Sequence, residues 1–73
     1  MKQKVKLLDE GYRDGEWANQ FYTWVFLVGD ERVEIWRNLL RRGDWEVIWD
    51  GAVDFHGTKK ELIKRYPEFR RYL

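Results

Sequence analysis

Asp54 and His56 stand two residues apart near the end of a strand-like segment, and on a β-strand this spacing places both on one face with Asp50. A carboxylate beside an imidazole can serve acid–base catalysis or, with further ligands, bind a metal ion. The chain has only one His, however, and no third strong ligand lies nearby in the sequence. We therefore interpret the pair as surface residues at a strand end and predict no metal site and no cofactor.

The other residues that could carry chemistry also give no sign of an active site. Four carboxylates, Asp9, Glu10, Asp14 and Glu16, surround one predicted turn, but they lack calcium-loop spacing and are typical of a solvated turn. The chain has no Ser and no Cys, which excludes serine and thiolate nucleophiles, disulfides and Cys-based zinc sites. The integrin-ligand tripeptide at residues 42–44 is explained by the turn it forms. The sequence thus predicts a protein that is not an enzyme.

Length and charge narrow the class further. Seventy-three residues allow a single domain, 1–73, and a net charge of +1 excludes a polycationic nucleic-acid packer. The longest apolar run, residues 24–28, is far shorter than the ~20 residues of a membrane span. We expect a cytoplasmic protein with no membrane partner. The charge is uneven, since residues 58–73 hold six basic and two acidic side chains.

Hydrophobic periodicity predicts an α+β fold. Strands are expected at residues 4–8, 17–28, 32–36 and 45–50, the last extended through Val53 and Phe55. They would form a four-stranded antiparallel meander, order 1-2-3-4, over residues 4–56, with a helical segment at 58–73 on one face. The alternative is a small, partly open barrel with the helix at one end. A capping box, Thr58 to Glu61, predicts the helix start, and Pro67 predicts a kink after Tyr66.

Three turns predict the register of the sheet. Asp14-Gly15 as a two-residue turn pairs Arg13 with Glu16, Tyr12 with Trp17, Leu7 with Tyr22 and Val5 with Trp24. Gly29-Asp30 as a type II′ turn pairs Phe26 with Val33 and Trp24 with Ile35. Residues 41–43 as a three-residue loop pair Ile35 with Trp49 and Arg37 with Val47. Gly51 is expected to form a bulge or bend within the fourth strand, and Gly11 is a candidate bulge in the first.

These registers divide the side chains between two faces. The predicted core face holds Val5, Leu7, Tyr22, Trp24, Phe26, Val33, Ile35, Leu39, Trp45, Val47 and Trp49. The helix should cover that face with Leu62, Ile63 and Tyr66. The opposite face would stay uncovered, with the cross-strand rows Lys6–Thr23–Trp36–Ile48 and Lys4–Val25–Glu34–Asp50.

Trp36 lies at the centre of this uncovered face, where a Trp in a partly apolar patch is typical of a binding hot spot. The alternative is that Trp36 only packs beside Lys6 and Ile48 and stiffens the sheet. The predicted partner-binding residues are Trp36, Thr23, Val25, Ile48, Phe21 and Arg32. Mixed charge around Trp36 favours a protein partner or self-association. The predicted function is therefore that of a small non-catalytic binding protein, such as an inhibitor or adaptor of a larger machine of the kind that viruses and mobile elements carry.

The alternative function is single-stranded nucleic-acid binding, with Phe21 and Trp36 as stacking platforms and Lys4, Lys6 and Arg32 on the phosphates. A second basic surface is predicted from Arg41, Arg42, Lys60, Lys64 and Arg71. Convergence of Arg37 and the loop arginines with the basic C-terminal segment would favour nucleic acid or an acidic protein as a ligand. A solvated basic helix face is the simpler interpretation.

Overall fold

Five antiparallel strands form one open sheet in the computed structural model, which describes residues 4–15 and 20–73. The strands follow the chain in the order β1-β2-β3-β4-β5. Their bounds are β1 Val5–Asp14, β2 Gln20–Val28, β3 Glu31–Asn38, β4 Trp45–Trp49 and β5 Ala52–Gly57. A short α-helix, α1 (Lys59–Arg65), and a 3-10 helix, Pro67–Tyr72, follow. The prediction of an α+β meander with a C-terminal helix is confirmed, whereas four strands and the alternative barrel are wrong.

The fifth strand arises at Asp50-Gly51. Both residues have positive φ, 50° and 86°, and Trp49 pairs with Ala52 across them. A two-residue hairpin turn with positive φ at both central residues strongly favours Asp-Gly. The predicted single fourth strand with a bulge or bend at Gly51 is therefore replaced by the β4–β5 hairpin.

The first hairpin differs from its predicted register. Val5 pairs with Val28 and Leu7 with Phe26, four residues beyond the expected partners. The Asp14-Gly15 turn is wrong, since β1 continues to Asp14 and Asp14 pairs with Gln20. Glu16 and Trp17, the predicted partners of Arg13 and Tyr12, lie outside the described residues. Arg13 and Tyr12 pair with Phe21 and Tyr22 instead.

A bulge between Leu7 and Asp9 separates the two parts of this ladder, rather than a bulge at Gly11. The extra residue reverses which side chains point to which face beyond it. Val5 and Leu7 precede the bulge and pack against the core as predicted. Tyr12 follows the bulge, and its side chain therefore lies on the same side of the sheet and packs edge-on against Tyr22.

The second predicted turn is confirmed, whereas the third was predicted as a loop two residues shorter than the observed one. Gly29 has φ 63°, and Phe26 pairs with Val33 and Trp24 with Ile35, as predicted. Ile35, however, pairs with Val47, and Arg37 with Trp45. The side-chain oxygen of Asn38 accepts the amides of Leu40 and Arg41 at 2.9 and 3.1 Å, which widens the loop that Gly43 closes at φ 76°. The pairing of β3 with β4 is thus shifted by two residues, and because side chains alternate between faces, this even shift leaves the side chains of both strands on their predicted faces.

The core lies between the sheet and the C-terminal helices. Its buried members are Trp24, Phe26, Val28, Val33, Ile35, Trp45, Val47, Leu62, Tyr66 and Phe69, with Val5, Leu7, Tyr22, Trp49, Phe55, Tyr72 and Leu73 packed at its margin. Trp24 and Trp45 stack at 5.6 Å between ring centroids. Two predicted members are absent from the core: the wider loop leaves Leu39 37% exposed, and Ile63 is half-buried but not part of the core.

The predicted helix start and kink are both confirmed. The Glu61 amide donates to Thr58 Oγ1 and the Thr58 amide to Glu61 Oε1, each at 3.2 Å. These two hydrogen bonds form the capping box. The Thr58 amide and the Thr58 hydroxyl both donate to Glu61 Oε1, and these bonds hold the pKa of Glu61 below its ordinary value. Tyr66 ends α1 at φ −127°, and Pro67 begins the 3-10 helix. No helix among the described residues is long and apolar enough to span a membrane.

Candidate functional site

The face of the sheet opposite the helices, called the outer face here, holds two central rows of paired residues. One row is Thr23–Trp36–Glu46–His56, and the other is Val25–Glu34–Ile48–Val53. The predicted positions of Thr23 opposite Trp36 and of Val25 opposite Glu34 are confirmed. Ile48 was expected opposite Trp36 but pairs with Glu34, and Asp50 was expected opposite Glu34 but lies in the β4–β5 turn. Lys6 was expected opposite Thr23 but pairs with Leu27, and Gly11 stands opposite Thr23 instead.

Trp36 is half-buried and held from three sides. Its ring meets Phe21 edge-to-face at 5.1 Å between centroids, and the Arg13 guanidinium lies over it at 5.0 Å. Its indole N–H donates to Glu34 Oε1 at 3.0 Å. The indole is therefore fixed in one orientation while part of its surface stays accessible.

The other predicted partner-binding residues lie at different depths. Thr23 and Val25 are each 4% exposed, so they support the face from below and offer a partner almost no area. Phe21 and Ile48 are half-buried, and Arg32 is exposed and paired with Glu34 at 3.3 Å.

Sequence reasoning missed Val53, which is 61% exposed beside Ile48. Val53 was assigned to an extension of the fourth strand, and only the β4–β5 hairpin brings it next to Ile48. The Asp50-Gly51 dipeptide was the signal that could have found it.

Asp54 and His56 do not share a face, contrary to the sequence prediction. Val47 pairs with Phe55 and Ile48 with Val53, which leaves Asp54 as the extra residue of a bulge. Asp54 turns to the helix side and accepts the Tyr66 hydroxyl, with the Arg65 guanidinium 3.7 Å away. Burial, reinforced by this hydrogen bond, raises the pKa of Tyr66 to about 12.

His56 lies in the outer-face row and contacts the Asp44 carboxylate. The bulge thus separates the two residues and gives each a different partner. The described residues contain no cluster of three or more metal-ligating side chains.

The predicted second basic surface is split. Arg42 and Lys60 line a cavity of about 630 Å³ on the helix side, together with Arg37 and Lys59. Arg41, Lys64 and Arg71 are not among the residues of its wall. Arg71 instead donates to the Tyr72 hydroxyl at 2.9 Å. Four cations from β3, the loop after it and α1 therefore converge: Arg37, Arg42, Lys59 and Lys60.

The sequence matches no protein-family model, and neither a curated protein nor a solved structure is significantly similar to it.

Proposed function

We propose that the chain is a non-catalytic binding protein that docks a partner protein on its outer face. The observation that carries the proposal is an apolar strip, Phe21, Trp36, Ile48 and Val53, on the side of the sheet that the helices do not cover. We name these four residues the outer strip. A role as an inhibitor or adaptor of a larger machine is part of the same proposal, since the chain is small and poor in nucleophiles.

The fixed indole of Trp36 supports its role as the anchor. Interface hot spots are enriched in Trp, and they lose little side-chain freedom on binding when the ring is already held. Phe21, Arg13 and the hydrogen bond to Glu34 hold this ring before any partner arrives. The strip therefore combines an ordered anchor with the accessible side chain of Val53.

The charges around the strip favour a protein over a phosphate backbone. Glu34 and Glu46 lie directly beside Trp36 in the paired rows, and Arg32 is already paired with Glu34. Carboxylates at these positions would repel phosphates and leave few free cations to neutralise them. Phe21 and Trp36 also pack against each other, which reduces the ring area open to bases. The alternative of nucleic-acid stacking on this face is thus the weaker proposal.

The proposal is tested by capture from a nuclease-treated lysate of the source organism with the wild type, Trp36→Ala, Val53→Asp and Tyr12→Ala. Val53→Asp places a charge on an exposed position of the strip without removing a core contact. Tyr12→Ala removes an exposed aromatic ring from the other side of the sheet and is the matched control. A partner lost with both strip variants and kept with the control is then purified.

We expect Trp36→Ala to raise the Kd for the purified partner by about 30-fold, the effect of a 2 kcal/mol hot spot, with modest salt dependence. Circular dichroism of each variant shows whether the fold survives. Sedimentation of the purified protein shows whether the partner is a second copy. The proposal fails if the folded strip variants capture the same proteins as the wild type.

A further inference from the structure

Two adjoining cavities run along the helix side of the sheet, away from the outer face. The first, of about 630 Å³, has Arg37, Arg42, Lys59 and Lys60 in its wall. The second, of about 320 Å³, is lined by Glu10, Tyr12, Tyr22, Trp24, Arg37, Leu39 and Tyr72. Arg37 and Leu39 belong to both walls, so the two cavities adjoin each other. We call the two adjoining cavities together the furrow.

The first cavity is a cationic site. Arg37 and Lys59 lie over the indole of Trp45, at 5.6 and 5.8 Å from the ring centroid, and Lys59 Nζ donates to the Leu73 carbonyl at 3.1 Å. Within residues 4–15 and 20–73, Arg42 and Lys60 form no ion pair, and no carboxylate lines this cavity. Four like charges around one cavity repel each other, and a polyanion would relieve that repulsion.

The second cavity offers an aromatic surface. Tyr12 is 82% exposed and meets Tyr22 edge-on, with ring planes at 88° and centroids 5.0 Å apart. The Tyr22 hydroxyl donates to Glu10 at 2.9 Å, and this hydrogen bond raises the pKa of Tyr22 and orients its ring. A planar base can stack on the open face of Tyr12, since stacking tolerates every base.

We propose that the furrow binds single-stranded nucleic acid, with phosphates in the cationic cavity and a base stacked on Tyr12. An acidic peptide would match the cations equally well but has no use for an open tyrosine face. The proposal goes beyond the function proposed above, because the furrow and the outer strip lie on opposite sides of the sheet. Both ligands fit on one chain at the same time.

Fluorescein-labelled 12-mer oligonucleotides, oligo-dT and a mixed RNA, are the probes, and anisotropy is measured from 50 to 300 mM salt. Four neutralised phosphates predict a slope of log affinity against log salt of about −3, at ~0.7 for each phosphate of a single strand. The double variant Arg42→Gln/Lys60→Gln should reduce the slope to about half. The matched control, Arg41→Gln/Lys64→Gln, has the same net charge but changes neighbours outside the cavity, and it should keep nearly the full slope.

Tyr12→Ala should weaken binding by about tenfold or more through the lost stacked base, whereas Val53→Asp on the outer face should have no effect. The proposal is overturned if neither oligonucleotide binds at 50 mM salt, or if the two double variants behave alike. It is also overturned if poly-L-glutamate displaces the oligonucleotide and Tyr12→Ala has no effect, since that result assigns the furrow to an acidic polypeptide. Survival of oligonucleotide binding in Val53→Asp keeps this test separate from that of the outer strip.

Discussion

The hydrogen bond from Tyr66 to Asp54 predicts an alkaline loss of stability. Tyr66 is 6% exposed, and its ring packs against Trp49 and Phe55 at 6.0 Å between centroids. Its hydroxyl joins α1 to the β5 bulge through Asp54. Burial and this hydrogen bond raise the pKa of Tyr66 from 10.0 to about 12.

The raised pKa has a definite consequence for folding. The folded state holds the phenolic proton more tightly than the unfolded chain, so the contribution to stability is complete below pH 10. It is lost as the pH rises from 10 to 12, where the unfolded tyrosine ionises and the folded one does not. The shift of about two pKa units, at 1.36 kcal/mol each, sets an upper bound of ~2.7 kcal/mol on the stability that the Tyr66 proton contributes. Most of this stability should be lost by pH 12.

The measurement is urea unfolding by far-UV circular dichroism at each pH from 8 to 12, for the wild type and Tyr66→Phe. Tyr66→Phe keeps the ring and removes the titrating group. At pH 8 we expect it to be less stable by ~1 kcal/mol, the net value of one hydrogen bond. Between pH 10 and 12 the wild type should lose ~2 kcal/mol more than the variant, so that the order of stability reverses.

Tyr12→Phe is the control, because its ring is 82% exposed and outside the core. Its stability should follow the wild-type curve over the whole range. Parallel curves for the wild type and Tyr66→Phe between pH 10 and 12 would refute the reasoning, since the Tyr66 proton would then contribute nothing to folding.

Two further predictions concern stability. Leu62→Ala should lower the free energy of unfolding by ~2–5 kcal/mol, because Leu62 is fully buried under the sheet. Ile63→Ala is the control and should lower it clearly less, because Ile63 is half-buried. Equal losses in urea titrations would contradict the docking of α1 through Leu62. Gly51→Ala should cost ~1–2 kcal/mol because φ is 86° there, although a methyl group would meet no atom within 4 Å. Gly11→Ala is its control in thermal unfolding, with open space and no positive φ, and a similar loss there would contradict the turn argument.

The faces were predicted better than the registers. The third turn was two residues too short, and the first hairpin was off by four at Val5 and Leu7, yet Trp24, Ile35 and Val47 all lie in the core as expected. Side chains alternate with period two, so an even error moves a residue along its face without turning it over. The register around Gly29-Asp30 was predicted correctly because a two-residue turn, once it is correctly located, leaves one choice of register. Asp14-Gly15 was predicted as the same kind of turn but is not the turn of its hairpin.

The candidate sites depended on features that the local pattern does not encode. The bulge at Asp54 separates it from His56, and the β4–β5 hairpin brings Val53 beside Ile48. Bulges are set by how neighbouring strands and the packed helix fit together, so the spacing of Asp54 and His56 alone was misleading. The position of Trp36 opposite Thr23 followed directly from the correct second turn.

The sequence by itself determined the fold class, the two faces of β2, β3 and β4, the capping box at Thr58 and the restart at Pro67, because these depend on residues close together along the chain. Only the tertiary structure decided which charges meet. Arg37 lies on β3, Arg42 on a loop and Lys60 on α1, and packing of α1 on the core places them around one cavity. Contacts between residues so far apart in sequence depend on how whole elements pack, and no local periodicity records that.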